Sequence, residues 1–280
     1  MKIVVTGASS GIGVYLVRRF EELGHEVIFF TRNPTGKNDR YFDIEKPENI
    51  KHDCNTLIHL GWRYWDIGDP IDLNLIAASK LLDSFQENSR VIFLSSLSAY
   101  STGSKYGHEK LLIEELFLAR CGLAIRAGVL WGGRSVSGIV STIVKIANIP
   151  AFCLHPVPQP VLFLTHYEDI FEEIIEYLEV PKRTLAILGN KKPVPLVELI
   201  HAIDQKSRIH LSFSLKQLLR MAILCRSVHI RVPFRIDSLN GLLNDDVVKI
   251  SNVIESKFRP TSTIDDFKNW LKLSTKKESD

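Results

Sequence analysis

The chain has 280 residues, of which 45% are hydrophobic and 24% are charged, as in an ordinary globular protein. The formal net charge of +3 is small and spread along the sequence, which argues against a nucleic-acid-binding surface and is compatible with an anionic small ligand. The four cysteines are far apart and no apolar run reaches the ~20 residues of a membrane span, so we expect a cytoplasmic protein without disulfides, zinc or a membrane helix.

Short apolar runs alternate with longer segments of helical period along most of the chain. The predicted strands are Ile3–Thr6, Val27–Thr31, Thr56–Leu60, Val91–Ser95, Leu123–Arg126, Val161–Leu164 and Leu185–Leu188. The predicted helices lie near residues 11–23, 71–86, 105–120, 137–147, 168–179 and 195–204. Buried parallel strands are continuous β-branched runs, and the helices that connect them are amphipathic. The alternation therefore predicts an α/β fold, a Rossmann-type doubly wound parallel sheet.

The pattern changes near residue 205, where short helical segments such as Leu215–Cys225 and Thr263–Leu271 replace the strands. We therefore expect the doubly wound domain over residues 1–165, to which residues 166–190 contribute a further helix and strand. Residues 191–280 are expected to form a smaller, mostly helical region.

A glycine-rich turn directly follows the first predicted strand and leads into the first helix. Glycines let the backbone approach a phosphate closely, and the N-terminus of the helix offers N–H groups and a partial positive charge. A glycine turn alone is also compatible with a purely structural loop. Its place between the first strand and the first helix instead predicts a dinucleotide pyrophosphate site. The candidate binding residues are Gly7, Ser9, Ser10, Gly11, Ile12 and Gly13.

The residues after the second strand indicate the form of the cofactor. Enzymes that use the unphosphorylated dinucleotide usually have an acidic residue there, whereas an arginine suits the 2′-phosphate. This chain has Thr31 and Arg32 and no acidic residue at that point. We therefore expect NADP(H) to be favoured, with NAD(H) possible; the alternative interpretation of Arg32 is a solvated loop residue.

Three polar residues follow the strand that ends near residue 95. Ser96 lies at the carboxyl end of that strand, where ligands of doubly wound sheets bind, and Tyr106 and Lys110 share one face of the next helix. A neighbouring ammonium group lowers the pKa of a tyrosine from ~10 toward neutrality. The three residues therefore predict a proton-transfer site beside a hydride carrier, with Ser98 as a substitute for Ser96.

Further segments occur in the order of a known family. They are Asp43-Ile44, His59-Leu60-Gly61, Asn74 followed by Leu81-Leu82, Arg126–Gly132, and Ser251 with Arg259–Thr263. Together with the glycine turn and Tyr106-x-x-x-Lys110, they resemble the extended short-chain dehydrogenase/reductase superfamily, and specifically its NAD-dependent epimerase/dehydratase family acting on nucleotide sugars.

The resemblance implies roles for these segments. Asp43 and Ile44 would contact the adenine, and Leu60 and Gly61 would lie beneath the ribose and pyrophosphate. It also counts Asn74, Tyr106 and Lys110 among the cofactor-binding residues. Residues 1–165 would then be the dinucleotide-binding domain and residues 191–280 the substrate-binding region.

The family offers three chemistries, and the sequence favours one. A dehydratase would have an Asp-Glu pair where this chain has Leu97 and Ser98, so dehydration is discounted. Arg32 favours NADPH and hence net reduction of a keto group, at C4, on a nucleotide-linked deoxysugar. The alternatives are a nucleotide-sugar 4-epimerase with bound NAD, a reductase of non-sugar carbonyls, and a non-catalytic NAD(P)-binding regulatory protein.

The substrate side of the site is less clearly marked in the sequence. Candidates for binding the substrate's diphosphate are Lys216, Arg220 and Arg226, each of which is otherwise a solvated side chain. Trp62 and Trp65 follow the His59-Leu60-Gly61 segment and either line the pocket or pack in the core. The partners expected are a nucleotide-sugar substrate and, from the family's habit, a possible homodimer; no nucleic acid is expected.

Overall fold

The computed structural model describes residues 1–48, 52–64, 72–100, 104–133, 136, 138–147, 152–157, 159–190, 193–203, 209–214, 217, 220 and 264–276. The chain divides into two compact units, Met1–Ala127 with Tyr167–Leu188, and Gly128–His166 with Gly189–Asp280. This division differs from the boundary expected at residue 165, because residues 128–166 group with the C-terminal part of the chain.

The helices and strands are numbered in chain order. The strands are β1 (Lys2–Thr6), β2 (Glu26–Thr31), β3 (Asp39–Tyr41), β4 (Thr56–His59), β5 (Arg90–Ser96), β6 (Leu123–Ala127), β7 (Val129–Trp131), β8 (Phe152–Val157), β9 (Val161–Leu162), β10 (Leu164–His166), β11 (Thr184–Leu188), β12 (Val194–Pro195) and β13 (Ile209–Ser214). The helices are α1 (Gly11–Glu22), α2 (Leu73–Asp83), α3 (Lys105–Ala119), α4 (Gly138–Ala147), α5 (Tyr167–Glu179), α6 (Leu196–Ile203) and α7 (Ile264–Lys276). A short 3₁₀ helix, Leu97–Tyr100, connects β5 with α3.

The first unit is built on a seven-stranded parallel sheet with the strand order β11-β6-β5-β4-β1-β2-β3. The order 3-2-1-4-5-6 within it is that of a Rossmann sheet, so the predicted doubly wound α/β fold is confirmed. Strand β3 was not predicted, because Asp39-Arg40-Tyr41 is short and polar, as the edge strand of a sheet usually is.

Apolar side chains from the sheet and the helices form the core of the first unit. Ile3, Val4 and Val5 of β1 are completely buried, because helices cover both faces of a parallel sheet. On one face, α2 and α3 pack together through residues that include Leu81 and Phe117. The rigid sheet fixes where the carboxyl ends of its strands lie, and that edge carries the predicted site residues.

The second unit contains three short strand pairs, β7 with β10, β9 with β12 and β8 with β13. The last pair is parallel over six residues, and neither of its strands was predicted. The β13 segment alternates apolar and polar residues (Ile-His-Leu-Ser-Phe-Ser), which is the period of a strand and was a usable signal.

Helices α4, α6 and α7 share one apolar cluster in the second unit, which includes Trp131, Leu199 and Phe267. Helix α7 corresponds to the predicted segment Thr263–Leu271. The other predicted segment, Leu215–Cys225, lies outside the described residues except for positions 217 and 220. Within the described part of the chain, no helix has both the length and the apolar character needed to cross a membrane.

Candidate cofactor site and active site

The glycine turn connects β1 with α1 in the first unit. Gly7 has a φ of +69°, a left-handed conformation that favours glycine, and its carbonyl accepts a hydrogen bond from Ser10 N at 3.0 Å. Ser10 caps α1, and its Oγ accepts from Gly13 N at 3.1 Å. Ile12 and Gly13 are buried, whereas Ser9 is exposed. The turn therefore presents the start of α1 at the carboxyl edge of the sheet, as an anion site requires.

Steric contacts at two glycines show that this backbone fits a dinucleotide turn. A Cβ on Gly13 would lie 2.4 Å from Gly7 O and 2.7 Å from Ala8 O. A Cβ on Gly7 would lie 2.8 Å from Gly61 N, in the loop after β4. Only glycine allows the helix, the turn and the neighbouring loop to approach this closely, which is the geometry that brings backbone N–H groups to a pyrophosphate.

Replacing Gly13 by Ala is expected to lower NADPH affinity by at least about tenfold and to destabilise the fold by about 1–3 kcal/mol, because the added methyl must push the turn away from α1. Chemical denaturation and NADPH fluorescence titration measure the two effects. Gly24→Ala is the matched control: Gly24 has a φ of +76°, but a methyl added there would meet nothing within 4 Å. It should lower stability and leave the affinity unchanged; an unaltered affinity in Gly13→Ala would exclude the turn as the cofactor site.

The predicted adenosine-binding residues lie at the same edge of the sheet. Thr31 ends β2, and its carbonyl accepts from Phe42 N at 2.9 Å, which holds the end of β3 beside it. Arg32 follows with an exposed side chain, and Asp43 and Ile44 are half-buried after β3. Because β1 pairs in parallel with β2, and β2 with β3, these residues and the glycine turn occupy neighbouring positions.

The loop after β4 is tied to β1. Leu60 N donates to Thr6 O at 3.2 Å, and Gly61 N donates to Thr6 Oγ1 at 3.0 Å. The same hydroxyl lies 2.7 Å from Nδ1 of His59, which is buried. Burial, with a smaller effect of the Lys110 charge, lowers the pKa of His59 to about 3, so the ring is neutral and acts as a structural partner of the loop.

Asn74 joins this loop to α3. Its amide group donates to Arg63 O at 2.9 Å and accepts from Arg63 N at 2.8 Å. Its side-chain and backbone nitrogens also donate to the two carboxylate oxygens of Glu109, at 3.1 and 3.2 Å. Asn74 is 1% exposed, and burial raises the pKa of Glu109. We call this arrangement of Asn74, the Arg63 backbone and Glu109 the Asn74 clamp. The clamp therefore ties the loop after β4 to the first turns of α3.

Lys110 is buried beneath aromatic rings. Its Nζ donates to Leu94 O at 2.8 Å and lies 4.1, 4.5 and 5.7 Å from the ring centroids of Trp62, Phe93 and Tyr106. Burial lowers the pKa of Lys110 to about 7, although two glutamates of α3 act in the opposite direction. A buried lysine that exchanges its proton near neutrality, next to a tyrosine, is suited to acid–base chemistry.

Ser96 and Ser98 are both half-buried at the end of β5. Ser96 Oγ accepts a hydrogen bond from Ser98 N at 3.2 Å, so the two alternative candidates are neighbours in one turn. Tyr106 is half-buried in the first turn of α3, which is capped by the Ser104 side chain. The sheet and α3 thus bring the serines and the Tyr106–Lys110 pair to the same edge as the glycine turn.

A buried ion pair that the sequence analysis did not single out supports α3. Glu114 accepts from Arg126 Nε at 2.9 and 3.0 Å and from Nη2 at 2.6 Å, and Ser95 Oγ also bonds Glu114. Glu114 stands four residues after Lys110, and that spacing on one helical face was the only available signal. The ion pair joins α3 to β6, and the Ser95 contact joins α3 to β5, one helical turn after Lys110.

The predicted substrate-side residues are less informative. Lys216, Arg226 and Trp65 lie outside the described residues, and Arg220 is exposed. Across the described ranges, no group of three or more His, Cys, Asp or Glu residues could hold a metal ion. The geometry of the site is therefore that of a glycine turn, an adjoining loop, and a half-buried Tyr106 beside the buried Lys110.

Comparison with protein families gives this geometry a context. The model of the NAD dependent epimerase/dehydratase family matches residues 3–119, which include the glycine turn and the Tyr106–Lys110 pair. The resemblance expected from the sequence motifs is therefore confirmed. No curated protein matches the chain.

Solved structures with the same fold include several nucleotide-sugar enzymes. UDP-glucose 4-epimerase with UDP-glucose from Thermotoga maritima has a TM-score of 0.67 at 14% identity, covering 100% of both chains. MoeE5 in complex with UDP-glucuronic acid and NAD has a TM-score of 0.60 at 21% identity, covering 76% of this chain and 86% of its own. dTDP-4-dehydrorhamnose reductase from Yersinia enterocolitica has a TM-score of 0.60 at 17% identity, covering 77% and 85%. Likeness at these identities shows the shared fold.

Proposed function

We propose that this protein is an NADP(H)-dependent reductase of a keto group, at C4, on a nucleotide-linked deoxysugar. The observation that carries the proposal is the buried Lys110 beside Tyr106, at the sheet edge where the glycine turn lies. The family match supports a nicotinamide cofactor. The similar folds of the epimerase and the reductase named above support a nucleotide sugar as the substrate class.

In this reaction each side chain has a distinct task. A nicotinamide cofactor, when bound, would supply the hydride that reduces the carbonyl carbon. Tyr106 donates its phenolic proton to the carbonyl oxygen, so that the keto group becomes an alcohol. Lys110, buried within 6 Å of the tyrosine ring, stabilises the phenolate that remains. Ser96, or Ser98 in its place, donates a hydrogen bond that orients the carbonyl.

The glycine turn and the loop after β4 would hold the cofactor. The N-terminus of α1 would hold its pyrophosphate, and the loop at Leu60 and Gly61 would hold its ribose. Arg32, exposed directly after β2 and without an acidic neighbour at that position, would bind the 2′-phosphate.

The second candidate is a nucleotide-sugar 4-epimerase that retains NAD. It is favoured by the UDP-glucose 4-epimerase, whose fold matches the whole of this chain. A dehydratase is disfavoured, because Leu97 and Ser98 stand where an acid–base pair would be needed. An epimerase and a reductase would use the same Tyr106–Lys110 pair. The two activities are distinguished by whether the nicotinamide is oxidised in net turnover, as in a reductase, or regenerated in each cycle, as in an epimerase.

The direct test mixes the purified protein with NADPH or NADH and a panel of UDP-, dTDP- and GDP-linked 4-keto-6-deoxysugars, and follows nicotinamide absorbance. Oxidation of NADPH with one of these sugars is the expected result. Tightly bound NAD without net oxidation would replace the reductase by the epimerase. Neither oxidation nor bound cofactor would contradict both, and would favour a non-sugar carbonyl substrate or a regulatory role.

Cofactor preference gives a separate prediction for Arg32. Arg32→Gln is expected to weaken NADPH binding by about 10- to 100-fold, because a hydrogen bond to a charged group contributes ~1.5–3 kcal/mol, and to leave NADH binding unchanged. Fluorescence titration of both cofactors measures this. Arg18→Gln is the control, since Arg18 is also an exposed arginine and pairs with Glu22 on α1. Equal loss of both cofactors in Arg32→Gln would remove Arg32 as the phosphate-binding residue.

A further inference from the structure

The side chain of Trp62 contacts both members of the Tyr106–Lys110 pair. Its ring centroid lies 4.1 Å from Lys110 Nζ, closer than the Phe93 and Tyr106 rings at 4.5 and 5.7 Å. The Trp62 and Tyr106 rings have centroids 5.1 Å apart and planes at 77° to each other, which is the favourable edge-to-face arrangement of aromatic pairs. Trp62 does not belong to α3, yet its single side chain contacts both Tyr106 and Lys110 of that helix.

The backbone is held on both sides of Trp62. On the preceding side, Gly61 N donates to Thr6 Oγ1. On the following side, Arg63 N and O are both engaged by the Asn74 clamp. The clamp includes Glu109, which immediately precedes Lys110 on α3. The sheet and α3 therefore fix the two peptide neighbours of Trp62, so the position of its indole is built into the fold.

The surroundings of the Lys110 ammonium explain what this indole supplies. The group is buried and donates a hydrogen bond to Leu94 O, and aromatic rings lie close around it. The carboxylates that act on it, Glu114 and Glu109, are on its own helix, and Glu114 is already bound by Arg126. His59, from β4, is neutral. The face of an aromatic ring attracts a cation that has lost its water, and tryptophan does so most strongly.

We propose that Trp62 is a positioning residue for the Tyr106–Lys110 pair: its indole replaces water around the Lys110 ammonium and packs against the Tyr106 ring, which holds the two groups together. The importance for catalysis rests on the proposed function, in which that pair transfers the proton. The contacts themselves join side chains of this protein only, so they can be tested without cofactor or substrate.

The test is the titration of Lys110 in the apoprotein, followed by ¹³C NMR of protein labelled at the lysine Cε atoms. The Lys110 signal is assigned by its disappearance in Lys110→Arg. Trp62→Leu keeps the site apolar but removes the aromatic face, and is expected to lower the pKa of Lys110 by about one pH unit relative to the wild type. Trp62→Phe retains an aromatic face and should stay within about half a unit of the wild type.

The order of the Lys110 titration midpoints in the wild type, Trp62→Phe and Trp62→Leu distinguishes a positioning role of Trp62 from a role in packing alone. A Trp62→Leu protein that titrates like the wild type, or at higher pH, would overturn the proposal, because Trp62 would then only fill space or exclude water. Tyr64→Leu is the control on the same loop, with a 38% exposed side chain, and should leave the Lys110 pKa unchanged. If Trp62→Leu does not fold, Trp62→Met provides the same comparison with a more adaptable apolar side chain.

The titration and the activity assay can fail independently. Loss of the expected shift with normal NADPH oxidation would overturn the role of Trp62 and leave the proposed reductase intact. The expected shift in a protein that oxidises no nicotinamide would support the role of Trp62 and contradict the reaction.

Discussion

Tyr106→Phe is expected to lower kcat by about 10²–10⁴-fold, because the variant lacks the proton that the carbonyl oxygen must receive. The phenyl ring can keep its edge-to-face contact with Trp62, whose ring centroid is 5.1 Å away. The fold should therefore be unchanged, and the loss should be seen in single-turnover measurements of nicotinamide oxidation at saturating NADPH. The change thus removes one hydroxyl group from an otherwise intact site.

Tyr177→Phe is the matched control for this substitution. Tyr177 is also in the first unit, and its hydroxyl donates a hydrogen bond to Cys121 O at 3.2 Å. Removing that hydroxyl should cost about 1 kcal/mol of stability and leave kcat at the wild-type value. Near-full kcat in Tyr106→Phe would eliminate Tyr106 as the proton donor and direct attention to Ser96 or to a bound water molecule.

Glu114→Leu is expected to destabilise the protein by about 3–5 kcal/mol, the largest stability effect that the described contacts predict. The Arg126 and Glu114 side chains are only 9% and 3% exposed, so removing the carboxylate takes the Glu114 ion pair away from a buried guanidinium. Denaturant unfolding measures the change. Because the pair joins α3 to the sheet, the loss should appear in the cooperative unfolding of the first unit.

Two further variants define the cause of that loss. Replacing both partners, in Glu114→Leu with Arg126→Met, should recover much of the stability, because the buried guanidinium is then removed together with the carboxylate that binds it. Glu22→Ala removes the exposed ion pair between Arg18 and Glu22, and should change stability by less than about 0.5 kcal/mol. A loss below about 1 kcal/mol in Glu114→Leu would mean that Arg126 reaches water or another partner in the variant.

Local patterns were sufficient to predict the fold of the first unit and the location of its site. The glycine turn, the buried run Ile3-Val4-Val5 and the Tyr106–Lys110 spacing each depend on a few neighbouring residues, whose backbone preferences and periodicity can be read directly. The parallel sheet then places the carboxyl ends of its strands together, so motifs far apart in sequence meet at one edge.

Contacts between distant residues could not be predicted in this way. Asn74 and Glu109 are 35 positions apart, and a glutamate in the first turns of an amphipathic helix has no feature that distinguishes a buried residue from a solvated one. For the same reason, the sequence did not distinguish whether Trp62 lines the pocket or packs in the core. The unit boundary at Ala127 depends on which short strands pair with each other, and pairs of two or three residues give little sequence signal.

The buried basic groups of the site also make folding a proton-releasing reaction. The pKa of Lys110 falls from 10.5 to about 7 on folding, and that of His59 from 6.5 to about 3, so the native state sheds protons that the unfolded chain retains. Stability therefore rises with pH from about 3 to 6.5 through His59, and again from about 7 to 10.5 through Lys110. At neutral pH the protein therefore lacks most of the stability that it would have if Lys110 were neutral in both the folded and the unfolded chain. The burial that causes this loss also places an ammonium group where it can act on Tyr106.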